Sequence, residues 1–123
     1  MLALLRCDVC GNIVQPLHQT KVPVMCCGKK MEPMADNTQE AAVEKHIPVV
    51  NKIDGGFHVI VGDVEHPMMD EHYIQWIQLY TEDSVITKML KPGEKPEAEF
   101  LCEAEEVTAK AYCNLHGNWK NEM

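Results

Sequence analysis

From residue 46 to residue 113 the hydrophobic residues fall in short runs rich in β-branched and aromatic side chains, each bounded by polar, Gly or Pro positions. The runs are HIPVVNKI (46–53), FHVIVG (57–62), HYIQWIQLYT (72–81), VITKML (85–90), AEFLCEA (98–104) and VTAKAYC (107–113). Asp54-Gly55-Gly56 reads as a hairpin turn and KPGEKPE (91–97) as a second turn. Ile74, Trp76 and Tyr80 are expected on one face of their strand. The two-residue period places Val107, Ala109, Ala111 and Cys113 together on one face of theirs. About six or seven short strands with frequent turns predict a β-sandwich.

The region before it has a different texture. Residues 36–45 (DNTQEAAVEK) are polar and read as a linker or one loose helical turn. Residues 1–36 are too few to fold on apolar burial alone, since chains below about 40 residues usually need a metal, disulfides or a partner. Between Cys10 and Cys26 lie short extended pieces broken by Pro16 and Pro23. The expectation is a knuckle, a small β ribbon and a second knuckle, with Gly11 and Gly28 letting the backbone turn so that amides point at sulfur. A domain boundary is expected between 1–36 and 37–123.

Charge narrows the function. The 123 residues carry 11 basic and 19 acidic groups, a net charge of −8. Residues 1–36 hold four basic and three acidic groups, whereas residues 37–123 hold seven and sixteen. Such a surface argues against nucleic acid and anionic membranes as partners. An anionic substrate of the larger part needs a local positive site. MLALLRCDVC does not read as a secretory signal, and no apolar run approaches a membrane span. A cytoplasmic protein is expected, and six cysteines in a reducing compartment read as metal ligands before disulfides.

Two groups of ligand-type side chains stand out. Cys7, Cys10, Cys26 and Cys27 form CxxC and, fifteen residues later, CC. Two thiolate pairs close a tetrahedron that suits Zn²⁺ or a single iron, and ligand type alone places zinc first, as a structural staple. Because the second pair is adjacent, the tetrahedron is expected to be distorted. The other group is His46 in EKHIP, His66 in EHPM, His72 in EHYI, and Cys113 with His116 in CNLH. Four imidazoles and one thiolate suit a five- or six-coordinate iron with one position left for a small substrate. A thiolate opposite that position donates electron density, which favours release of a reduced product. Lys45 is a compact cation able to draw in an anion, and Glu44 is a carboxylate able to reach the open position once substrate has left. The plainer readings are a solvated charge pair for Glu44 and Lys45 and an inert buried thiol for Cys113. His18 and His58 have no supporting motif, and Cys102 reads as a core thiol.

The series CxxCG, CCG, EKHIP, HPM, HYI and CNLHG resembles the desulfoferrodoxin, or two-iron superoxide reductase, family, in order and over essentially the whole chain. The N-terminal part also resembles desulforedoxin. The resemblance implies a mainly β protein: a desulforedoxin/rubredoxin-like knuckle domain followed by an immunoglobulin-like β-sandwich. It implies two iron ions per chain, which overturns the zinc preference. One is held by Cys7, Cys10, Cys26 and Cys27; the other by His46, His66, His72 and His116 in a plane with Cys113 axial. It further implies one-electron reduction of superoxide to hydrogen peroxide, a rubredoxin-type donor and a homodimer, with catalytic roles for Glu44 and Lys45. A non-catalytic iron electron-transfer protein and a zinc-stabilised binding module remain as rivals.

Overall fold

The computed structural model describes residues 2–38, 46–62 and 66–121. The chain forms two compact units, Met1–Ala35 and Asp36–Met123. No α-helix occurs among the described residues.

The first unit holds five two-residue strands: β1 (Leu5–Arg6), β2 (Ile13–Val14), β3 (Met25–Cys26), β4 (Lys29–Lys30) and β5 (Glu32–Pro33). β1 is the centre of a sheet ordered β2-β1-β5, and β3 pairs with β4 as a hairpin. Among the described residues its apolar cluster is Leu5, Cys7 and Met31, with Cys26 against them. Two of those four are thiols, so the burial that holds this unit is itself made of ligand side chains.

The second unit is a sandwich. Its strands are β6 (Asp36–Asn37), β7 (Pro48–Ile53), β8 (Gly56–Val61), β9 (Ile74–Tyr80), β10 (Val85–Met89), β11 (Glu97–Leu101), β12 (Thr108–Cys113) and β13 (Gly117–Lys120). One sheet runs β10-β9-β12-β13-β6 and the other β11-β8-β7. Every pairing is antiparallel except β13 with β6, which is parallel. Alternate residues point between the sheets: Phe57, Val59 and Val61 from β8, Ala98 and Phe100 from β11, and Ala109, Ala111 and Cys113 from β12 with Val107. The face anticipated for residues 107–113 is therefore the core face.

The face anticipated for β9 is not. Ile74, Ile77 and Leu79 enter the core, each fully buried. Trp76 instead stacks on Tyr112 at 4.5 Å and 11°, and Tyr80 Oη donates to Gln78 Oε1 at 2.7 Å. A bulge explains the switch: Tyr112 pairs with Trp76 but Cys113 pairs with Ile74, so one β9 residue is extra and the inward parity changes. The bulge sits where β9 and β12 deliver ligand-type residues.

Two strands of this unit went unanticipated, β6 and β13. Asp36–Asn37, expected in a linker, forms β6 beside β13. Its side chains hold it there: Asn37 Nδ2 donates to Asn118 O at 3.0 Å, and Asp36 Oδ2 lies 2.9 Å from Lys110 Nζ. Residues 39–45 of that segment lie outside the described residues. In the β7–β8 hairpin Gly55 takes the left-handed φ of +81°, while Gly56 is glycine for a different reason. A Cβ at Gly56 would stand 1.9 Å from Phe100 O, so only glycine lets β8 lie against β11.

Candidate metal centres

Cys7, Cys10, Cys26 and Cys27 converge, with all four sulfurs within 4.8 Å of one another. Cys10 and Cys26 Sγ are 3.6 Å apart, and Cys26 and Cys27 Sγ are 4.0 Å apart. A tetrahedral ion with metal–sulfur bonds of about 2.3 Å needs sulfur–sulfur edges of about 3.8 Å. The set fits such an ion closely.

The adjacent pair is made possible by backbone conformation. In a strand, neighbouring side chains point to opposite faces, so two consecutive ligands would diverge. Cys26 ends β3, and Cys27-Gly28 form the two-residue turn to Lys29. Cys27 has φ +53° and Gly28 φ +72°, the type I′ geometry that matches strand twist. Cys27 is the one non-glycine with positive φ among the described residues, and that conformation turns its sulfur back toward Cys26.

The first pair is shaped by amides. Cys10 and Val9 backbone N–H groups donate to Cys7 Sγ at 3.5 and 3.4 Å. These bonds, Cys10 first, hold the Cys7 thiol down at about 6 from its ordinary 9.0. Asn12 Nδ2 donates to Cys26 Sγ at 3.7 Å. Cys27 is pushed up to about 12 by hydrogen bonding with Cys10, then Cys7 and Cys26; Cys26 is also raised, mainly through Cys10. Without a cation Cys26 and Cys27 keep their protons at neutral pH, and a metal removes them.

The second group assembles from five places in the larger unit. His46 precedes β7, His66 follows β8, His72 precedes β9, Cys113 ends β12, and His116 lies in the turn to β13. Ligand atoms of His46, His72, Cys113 and His116 all lie within 4.8 Å of one another. His66 is not in that mutual set, but its ring closes the circle. Ring centroids run His46–His66 4.7 Å, His66–His72 4.9 Å, His72–His116 5.1 Å and His116–His46 4.8 Å, with neighbouring planes at 64° to 83°. Four imidazoles thus stand around a common centre like the vanes of a pinwheel.

Atom-level geometry fits a transition metal. His46 Nε2 and His116 Nδ1 are 3.0 Å apart. Adjacent nitrogens bound at about 2.1 Å and at right angles are separated by about 3.0 Å. His66 Nδ1 donates to Pro67 O at 2.7 Å, so its ring lone pair lies on Nε2. His72 Nε2 is buried without a hydrogen bond among the described residues, an arrangement that a metal bond explains. Cys113 Sγ, fully buried, lies 3.7 Å from His116 Nδ1. Burial falls from Cys113 and His46, both 0% exposed, to the exposed His116, so the cluster lies at the surface end of the sandwich. Glu44 and Lys45 lie outside the described residues.

Two supporting residues carried no signal in the sequence. Asn114 Oδ1 accepts from Tyr73 N at 2.9 Å, and Asn114 Nδ2 donates to Glu71 O at 3.0 Å. Trp119 stacks on His46 at 4.7 Å and 16°, and its Nε1–H donates to His116 O at 3.1 Å. Both act between segments distant along the chain, where local spacing says nothing.

Comparison with known proteins decides the family. The desulfoferrodoxin model matches residues 38–122, and the model of the desulfoferrodoxin N-terminal domain matches residues 2–34. This chain belongs to the desulfoferrodoxin family. The desulfoferrodoxin of Desulfarculus baarsii is 53% identical over 121 residues, covering 98% of this chain and 96% of that one. The superoxide reductase structure from Treponema pallidum aligns at TM-score 0.78 and 31% identity over 99% of this chain and 98% of its own. The one-iron superoxide reductase of Giardia intestinalis aligns at TM-score 0.56 and 33% identity, covering 65% of this chain and 97% of that one. The four-cysteine set and the histidine–cysteine set match the two iron sites of the family, so iron stands where ligand type alone favoured zinc.

Proposed function

We propose that this desulfoferrodoxin is a superoxide reductase, which joins superoxide, one electron and two protons to make hydrogen peroxide. The observation that carries the reading is the pinwheel of four imidazoles with the Cys113 thiol beside it. Support comes from the full-length likeness to the superoxide reductase of Treponema pallidum.

His46, His66, His72, His116 and Cys113 would hold one iron. Cys7, Cys10, Cys26 and Cys27 hold the other, which supports the small unit. When bound, the histidine-ligated iron supplies a one-electron ferrous–ferric couple and an open position for superoxide. Cys113, as thiolate, donates electron density from the core side. Lys45 draws the anion in against the acidic background and organises the water that delivers protons. Glu44 would supply a carboxylate to that iron in its product-free form. The electron comes from a small one-electron donor protein of rubredoxin type. The working form is a homodimer in the cytoplasm, where a reducing environment keeps thiolate ligands available. No helix among the described residues is long and apolar enough to cross a membrane.

The test is stoichiometric. Iron-loaded, pre-reduced protein is exposed to a superoxide pulse, and superoxide, peroxide and dioxygen are followed together. One peroxide per superoxide with no dioxygen is expected. Dioxygen at half the superoxide consumed would make the protein a dismutase. No consumption, with no binding of azide or cyanide to the histidine-ligated iron, would make it a closed electron carrier.

A further inference from the structure

We infer that Trp119 is a positioning residue for the histidine–cysteine centre, fixing the plane of the His46 ring and the place of the His116 main chain with one side chain. The inference rests on the assignment of His46 and His116 as ligands.

Trp119 lies on β13 opposite Ala111 of β12. It is only 7% exposed, yet it does not belong to the apolar core between the sheets. Its burial is spent at the metal centre. The indole lies nearly parallel to His46, at 16° and 4.7 Å between centroids. Its single donor, Nε1–H, reaches His116 O at 3.1 Å. Two of its contacts come from positions 46 and 116, and their ring nitrogens meet at 3.0 Å.

An imidazole binds a metal through a lone pair in the ring plane, so tilting the ring carries that lone pair off the metal. A parallel slab of indole permits sliding within the plane and resists tilt. His66 has its plane set in a different way, by Nδ1–H donation to Pro67 O. The turn from Cys113 to Gly117 carries two ligands, and Trp119 anchors the carbonyl of the second. Loss of the indole therefore loosens two adjacent corners of the ring together.

The experiment uses Co²⁺ as probe on the metal-free full chain, with Trp119→Phe and Trp119→Leu beside the parent. The four-thiolate site gives intense tetrahedral Co²⁺ bands, so its filling is followed separately from the histidine-ligated one. Trp119→Leu should weaken the second site about 10- to 100-fold, the usual scale for residues supporting metal ligands, and shift its visible bands. Trp119→Phe keeps a ring over His46 but lacks the donor, and should recover part of both. The first site should not change. Equal affinity and unshifted bands in Trp119→Leu would overturn the inference. A parent that binds Co²⁺ only at the four-thiolate site would instead sink the ligand assignment beneath it. Should Trp119→Leu fail to fold, emission decides. The chain has two tryptophans, so in a Trp76→Phe background Trp119 emits alone. Its emission should fall as the second site fills, and constant emission would overturn the inference.

Discussion

Asn114 Oδ1 accepts a hydrogen bond from the Tyr73 backbone N–H at 2.9 Å, tying the entrance of β9 to the turn that follows β12. His72 precedes Tyr73 and Cys113 precedes Asn114, so this bond sits one residue from a ligand on each side. Asn114→Ala leaves the Tyr73 amide without its acceptor and the Glu71 carbonyl without its donor. The expected loss is about 1–3 kcal/mol of stability, with faster release of the histidine-ligated iron. Denaturant unfolding and iron transfer to a chelator measure the two effects.

Cys27 serves two roles that mutation can separate. It is a sulfur ligand, and it occupies the first position of a type I′ turn at φ +53°. Asn-Gly is the favoured pair for that turn, so Cys27→Asn should keep the β3–β4 hairpin and lose only the ligand. Metal analysis should fall from two irons to one, with the histidine–cysteine spectrum unchanged. Cys27→Val disfavours the turn as well and should further lower the yield of folded protein.

Proton release should accompany metal binding at the four-cysteine site. Cys27, at about 12, and Cys26, raised above 9.0, are protonated at neutral pH in the metal-free protein, and both must ionise to bind. At least two protons per metal are expected at pH 7.5, read by calorimetry in buffers of different ionisation enthalpy. Affinity therefore rises with pH, because the metal-free state binds more protons than the loaded one. Below about 6 Cys7 also gains a proton, and affinity should fall more steeply. A release below one proton at pH 7.5 would contradict the assignment.

Lys45→Ala should slow superoxide capture by roughly tenfold at low salt and flatten its ionic-strength dependence. Pulse kinetics across a salt series give both numbers, and an unchanged slope would remove Lys45 from anion capture. The positive charge matters here because residues 37–123 carry sixteen acidic groups against seven basic ones.

Much of the chemistry was legible in the chain because ligands close in sequence carry their own geometry. CxxC brings two sulfurs to one side of an ion whatever surrounds it, and CNLH places a thiol and an imidazole across one turn. Strands β7, β8, β9, β10, β11 and β12 were legible for a similar reason, since β-branched runs between turn residues have few other uses. Burial parity held for residues 107–113 but failed at Trp76, because the β9 bulge exists only through pairing with β12. β6 was missed since two polar residues become a strand only when β13 offers an edge.

The sequence by itself determined which atoms are available to bind metal, their order along the chain and the class of fold that carries them. The tertiary structure decided the cyclic order of the imidazoles, the choice of Nδ1 at His116 against Nε2 at His46, and the parts played by Asn114 and Trp119. The physical reason is range. Chelate spacing and strand alternation are properties of a few consecutive residues, whereas a lone pair aimed at a shared centre depends on contacts between side chains 70 or more positions apart.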